Sequence, residues 1–135
     1  MANALYAKGK ENLLKADIDM LVDDIRVQLV DLADYTLDLA THDALNDVAA
    51  GARVGAATAL ANKTVTDGVF DADDTTIATV TGDQSEALVI YKHTGVESTS
   101  LLIAYIDTAT GLPITPGGGN IDVVWDNGAN KIFKL

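Results

Sequence analysis

The residues with the clearest potential for chemistry are four aspartates that lie close together: Asp67, Asp71, Asp73 and Asp74. Several carboxylate oxygens on a flexible loop suit Ca²⁺, a hard cation that prefers oxygen ligands. An EF-hand register that begins at Asp71 fails, because it puts Thr76 at the required glycine and Gly82 at the required glutamate. A calcium site of another kind stays open beside the simpler interpretation, a solvated turn, since Asp is a common turn residue.

The histidines and serines form no recognisable catalytic pattern. His42 and His93 are the two histidines, and neither has a second histidine at metal-binding spacing. We expect an exposed His93 side chain, and we expect His42 to help begin a helical turn. No nucleophile-elbow sequence surrounds the serines, Ser85, Ser98 and Ser100. We therefore predict that the protein is not an enzyme; the open alternative is a Ser-His-Asp triad whose members meet only in the fold.

Glycines and aromatic residues also give no cofactor site. Three consecutive glycines, residues 117–119, lack the Lys-Ser/Thr that follows in a P-loop, so a phosphate cradle is not predicted. Aromatic side chains on predicted strands could line a ligand pocket, but they more often belong to the core: Trp125, Tyr91, Tyr105 and Phe133. We predict no cofactor.

Composition narrows the classes of partner. The chain has 20 acidic and 9 basic residues, a formal net charge of −11. Such a field repels phosphate backbones, so we expect no nucleic-acid partner. Cysteine is absent, which removes disulfides and thiolate sites. No apolar run approaches the ~20 residues of a membrane span, and the first residues lack the apolar region of a signal peptide, so we expect no membrane partner.

Two apolar runs, residues 87–91 and 101–106, are the strongest strand signals. Each is apolar on consecutive residues, so a strand made from it presents apolar side chains on both faces of its sheet. One face can cover the core of the domain. The other face is predicted to be either a second core layer or an association surface.

Shorter signals describe the rest of the chain. Residues 3–15 predict a short helix, or an arm that becomes ordered on a partner. Residues 25–30 alternate between apolar and polar side chains, as a half-buried strand does. Further strands are predicted at 53–60, 63–70, 75–81, 121–125 and 131–135. The last two are expected to form a hairpin through Asn127 and Gly128.

These elements predict a mainly β fold. Roughly eight short strands separated by turn signals are typical of a β-sandwich or jelly-roll-like domain. We expect a single β domain over residues 1–135, with residues 1–24 as an N-terminal helix or arm. Residues 108–120 hold both prolines and the three consecutive glycines, which predicts a surface loop.

A set of short sequence elements extends over nearly the whole chain. They are Leu5-Tyr6, residues 25–30 with Tyr35, Thr41-His42, residues 51–54, 63–69, 82–87 and 102–107, and the ending from Trp125 to Gly128 through Ile132 and Leu135. In these elements the chain resembles a family of small virion structural proteins of tailed bacteriophages, often placed among capsid decoration or cement proteins.

The resemblance implies a non-enzymatic protein on the outer capsid surface of the virion, assembled in the host cytoplasm. Its implied partners are the phage major capsid protein and further copies of itself, as a dimer or trimer. The expected contact residues lie on the apolar strands, the N-terminal arm and the Pro/Gly-rich loop: Leu5, Tyr6, Leu13, Leu88, Ile90, Leu102, Leu112, Pro113 and Pro116. The alternatives are a tail, collar or head-fibre component, and a carbohydrate-binding β-sandwich for host attachment.

Overall fold

The computed structural model describes residues 3–135 and has the predicted mainly β, sandwich-like architecture with a short N-terminal helix. Met1 and Ala2 of the predicted arm lie outside the described residues. The strands are β1 (Ala4–Leu5), β2 (Ile25–Val30), β3 (Arg53–Ala59), β4 (Thr64–Thr66), β5 (Val69–Asp71), β6 (Thr75–Ile77), β7 (Ala87–Lys92), β8 (Leu102–Ile106), β9 (Ile121–Val123) and β10 (Phe133–Lys134). The helix α1 spans Ala7–Leu14, and three 3₁₀ turns lie at Leu45–Asp47, Ala50–Ala52 and Glu97–Thr99.

The strands form three antiparallel sheets. The largest has the order β1-β8-β7-β2-β3, the second the order β10-β5-β4, and the third pairs β6 with β9. The two doubly apolar runs are β7 and β8, neighbours near the middle of the largest sheet. Their position agrees with their sequence, because a central strand is covered on both sides and needs apolar residues on each.

Both faces of the large sheet are covered by this chain itself. On one face, a first core layer contains Val27, Leu29, Leu88 and Ile90, together with residues of the two smaller sheets and Trp125. On the other face, a second core layer contains the following residues: Val30, Val89, Tyr91, Leu102 and Tyr105 of the sheet, with Tyr6, Tyr35, Leu45 and Val48 from outside it. The second face was predicted to be either a second core layer or an association surface, and the structure shows a second core layer.

The helix α1 packs closely on β8. A Cβ atom added to Gly9 would lie 2.7 Å from the carbonyl oxygen of Leu102 and 2.9 Å from that of Ile103. Glycine lowers helix propensity by roughly 1 kcal/mol relative to alanine, but here it permits the close approach of two backbones. At eight residues, α1 is the one α-helix within 3–135, and no helix there is long and apolar enough to cross a membrane.

Two sequence predictions about strands are wrong, one on where a strand ends and one on which strands pair. The predicted strand over residues 63–70 is the hairpin β4–β5, which turns at Asp67 and Gly68, both with positive φ. The predicted hairpin between residues 121–125 and 131–135 does not form, because β9 pairs with β6 and β10 pairs with β5.

The Pro/Gly-rich loop over residues 108–120 lies against its own chain. Ile114 and Ser85 exchange two backbone hydrogen bonds of 2.9 Å, and the N–H of Gly118 donates to the carbonyl of Val80. The loop is thus held at two points beside the start of β7 and the residues that follow β6.

Candidate functional site

Four of the predicted contact residues lie in the interior. Tyr6, Leu88, Ile90 and Leu102 are at most 4% exposed and belong to the two core layers. The prediction that these four residues form a contact surface is wrong for the folded chain, because other elements of the same chain already cover them. Leu13 is half-buried against the first core layer.

The other predicted contact residues lie at or near an open groove. Leu5 and Leu112 each line one half of it, whereas Pro113 is exposed and Pro116 is half-buried on the loop. The predicted contact residues therefore include parts of this surface, and the structure shows that the surface is continuous.

One half of the groove, here called the basic groove, has a cavity volume of about 820 Å³ and runs between β1 and β10. Its apolar lining includes Leu5, Leu39, Ala104, Ile106, Ile132 and Phe133. The groove exists because β1 and β10 are edge strands of different sheets and do not pair with each other.

The edge of β1 faces this space. Tyr6 donates its N–H to the carbonyl of Ile103 on β8, and Ala7 donates its N–H in the other direction, to Leu39. Because backbone N–H groups alternate in direction along a strand, the N–H and C=O of Leu5 point away from β8. The groove therefore combines apolar side chains with open strand edge.

The second half, here called the loop cleft, has a cavity volume of about 1030 Å³ and lies between residues 108–112 and 121–127. It shares five lining residues with the basic groove, Asn3, Ile106, Asp126, Lys131 and Ile132, so the two halves are continuous. Leu29 and Leu88 of the large sheet form its floor, and Val124, 70% exposed, stands at its rim.

Unpaired positive charge is concentrated at the basic groove. Six of the nine basic residues have a polar partner: Lys8, Lys15, Arg26, Arg53 and Lys92 form ion pairs, and Lys63 donates to the carbonyl of Asp23. The other three, Lys10, Lys131 and Lys134, have no side-chain partner within residues 3–135, and all three line this groove. Asp126 is the one acidic residue in its lining.

Sequence analysis missed these lysines as a group. They come from α1, from the turn before β10 and from β10 itself, and the fold alone brings their positions together. No local spacing in the sequence could reveal them.

The four aspartates proposed for calcium do not assemble. Within residues 3–135, no three carboxylates of this set lie close enough together to share an ion: Asp67, Asp71, Asp73 and Asp74. Two of them instead hold Trp125: Asp74 Oδ1 accepts the backbone N–H at 3.0 Å, and the carbonyl of Asp73 accepts the indole Nε1–H at 3.1 Å.

A different acidic cluster lies where β2 ends and β7 begins. Carboxylate oxygens of Asp31, Asp34 and Asp83 lie within 4.8 Å of one another, with Asp31 buried and the other two exposed. Beside them, burial raises the pKa of Glu86, and the charge of Asp31 adds to this increase although the N–H of Leu32 opposes it. The Oε2 atom of Glu86 is buried without a hydrogen-bond partner.

The histidines have structural contacts. His42 Nδ1 lies 2.9 Å from the hydroxyl of Tyr35, which lies 2.9 Å from the hydroxyl of Tyr6. Burial, the largest cause, raises the pKa of both tyrosines, so these hydroxyls stay protonated. His93 is half-buried rather than exposed as expected, with its ring edge-on to Tyr91.

The comparisons with known proteins add no family. No protein-family model matches the chain, and no curated protein matches it.

Proposed function

We propose that the protein is a non-enzymatic structural component of a tailed-phage virion that decorates the outer capsid shell and stabilises contacts between capsomers. The observation that carries this proposal is the continuous groove, which combines apolar walls, open strand edge and unpaired lysines on a β scaffold. Such a surface suits association with another protein chain. The resemblance along the chain indicates the kind of assembly.

Charge supports a position on the outside of the shell. The net charge of −11 opposes contact with packaged nucleic acid. A repeating shell also supports weak contacts, because many copies held near one another raise the effective concentration of each contact. The proposed partner is the major capsid protein.

Carbohydrate binding is less well supported than a structural role. Sugar recognition of the type considered would use an exposed aromatic platform, yet Trp125 and all four tyrosines are buried. The indole N–H of Trp125 is also occupied by the carbonyl of Asp73.

The proposal is tested by counting copies. Phage particles purified from a host should carry hundreds of copies per virion by quantitative mass spectrometry. Particles of a phage that lacks the gene should bind the purified protein when it is added. They should then withstand heating better than particles without it. A copy number that fits a single ring at the neck or tail would contradict decoration and favour the tail, collar or head-fibre alternative.

A further inference from the structure

One segment of the surface has properties that complement the basic groove. Between the end of α1 and the start of β2, three large apolar side chains are exposed: Leu14 by 88%, Leu21 by 52% and Val22 by 80%. Lys15, Asp17 and Asp19 lie between them in the chain, which leaves the segment with a net negative charge. Lys15 forms an ion pair with Asp17, but both side chains are exposed, and such surface pairs contribute little. We call residues 14–22 the acidic apolar segment.

This segment is held in place although its apolar side chains are exposed. Ile18 and Met20 are buried in the first core layer, and Asp19 Oδ1 accepts the N–H groups of Leu21 and Val22. Lys92 donates to the carbonyl of Asp17 and forms an ion pair with Asp23. Leu21 and Val22 are therefore presented on an anchored turn, so little ordering entropy is lost when a partner covers them.

The groove offers the opposite charge and the same apolar character. Its three lysines are the basic residues left without a partner within residues 3–135, on a chain whose net charge is −11. Apolar burial supplies the affinity of such a contact, while complementary charge steers the encounter and sets the register. Its volume of about 820 Å³ can hold several aliphatic side chains.

We infer that the basic groove binds the acidic apolar segment of a second copy of this chain, with Leu21 and Val22 against its apolar walls and the aspartates facing Lys10, Lys131 and Lys134. The occupant is a second copy because the chain itself carries exposed apolar side chains and acidic groups in one anchored segment. The inference goes beyond the proposed function and does not depend on it.

Size-exclusion chromatography with light scattering on the purified chain tests this. We expect a dimer or larger assembly that dissociates as salt is raised, since salt screens the charges. The groove variant Lys131→Glu/Lys134→Glu should raise the dissociation constant at least about tenfold. The fold should survive, because these side chains form no hydrogen bond or ion pair with other residues of 3–135. The control Lys8→Glu/Arg26→Glu changes the same charge outside both the groove and the acidic apolar segment, and it should leave the assembly intact.

A mixing experiment identifies the two surfaces as partners. The segment variant Leu14→Lys/Val22→Lys should be a monomer alone, as should the groove variant, but each retains one intact surface. Their mixture should form a heterodimer, while Val65→Lys/Val96→Lys, at other exposed valines, should behave as the wild type.

The inference is overturned by a wild-type monomer at every concentration and salt, by a groove variant that still assembles, or by a mixture that stays monomeric. Circular dichroism and the melting temperature of each variant confirm that it is folded. Because purified protein alone is used, the inference can fail while the proposed place on the capsid stands.

Discussion

Gly9 of α1 lies so close to β8 that a Cβ atom at this position would be 2.7 Å from the carbonyl oxygen of Leu102. Helix propensity alone would favour alanine here by roughly 1 kcal/mol. The contact reverses that preference, since neither backbone can move without disturbing the pairing of β1 with β8 or the second core layer.

Gly9→Ala should therefore destabilise the protein by about 1–3 kcal/mol, the usual cost of forcing extra volume into a packed site. Denaturant unfolding measures the change. Gly51→Ala is the matched control, because Gly51 has nothing within 4 Å of its added Cβ and no positive φ. It should change stability by no more than about 0.5 kcal/mol. A Gly9→Ala protein as stable as the wild type would contradict the close packing of α1 on β8.

The hydroxyl of Tyr35 joins Tyr6 to His42 in the second core layer. Tyr35→Phe leaves the buried hydroxyl of Tyr6 without this partner, so a loss of about 1–3 kcal/mol is expected. Tyr91→Phe is the control, since the Tyr91 hydroxyl has no hydrogen bond within residues 3–135, and it should cost no more than about 0.5 kcal/mol. Equal losses in the two variants would show that the hydrogen bonds contribute nothing specific.

Glu86 makes the stability of the protein depend on pH. Its pKa is raised in the folded state, so the folded chain binds the proton more tightly than the unfolded chain does. The unfavourable contribution of Glu86 is absent below the unfolded pKa and appears as the pH rises through that value toward the folded pKa.

Glu86→Gln should thus raise stability at pH 7 by roughly 0.5 kcal/mol, the size of an ordinary charge interaction near the surface. The gain should vanish at pH values below about 3, where the glutamate is protonated in both states. Melting curves of the two proteins across this range give the comparison, and a difference that stays constant with pH would rule out the carboxylate as its source.

Asp74 fixes the backbone of Trp125 through its carboxylate. Asp74→Ala should cost about 1 kcal/mol and make Trp125 fluorescence easier to quench with acrylamide. Asp71→Ala, which removes another member of the predicted calcium set, should change neither quantity appreciably. If the two variants lose equal stability, the contact with Trp125 is not what Asp74 contributes.

Much of the fold could be predicted because its main strands carry their own signals. The two doubly apolar runs are strands whose side chains match the faces they cover, and residues 25–30 form a strand as predicted. This strand is buried on both faces rather than half-buried, because Gln28 is 4% exposed and its amide donates to the carbonyls of Val54 and Gly55. The turn at Asp67 and Gly68 was also predictable, because Asp-Gly is a strong signal for a two-residue hairpin.

Other features could not be predicted from local sequence. β1 has two residues and is a strand only because Ala4 and Leu5 pair with Tyr105 and Ala104. The hairpin predicted from Asn127-Gly128 does not form, because residues on both sides of this turn form hydrogen bonds with other parts of the chain. Trp125 donates to Asp73 and Asp74. Ile132 donates its N–H to the carbonyl of Phe70. Such choices depend on partners that are distant in sequence.

The pairing of Ala4 with Tyr105 also has a kinetic consequence. The first strand to be synthesised cannot join its sheet until β8 has been made, so this part of the sheet closes over most of the chain length. Contacts of such high sequence separation slow folding, because the entropy of loop closure is lost before the contact stabilises anything. We expect refolding on a scale of milliseconds to seconds, with the N-terminal strand docking as a late event.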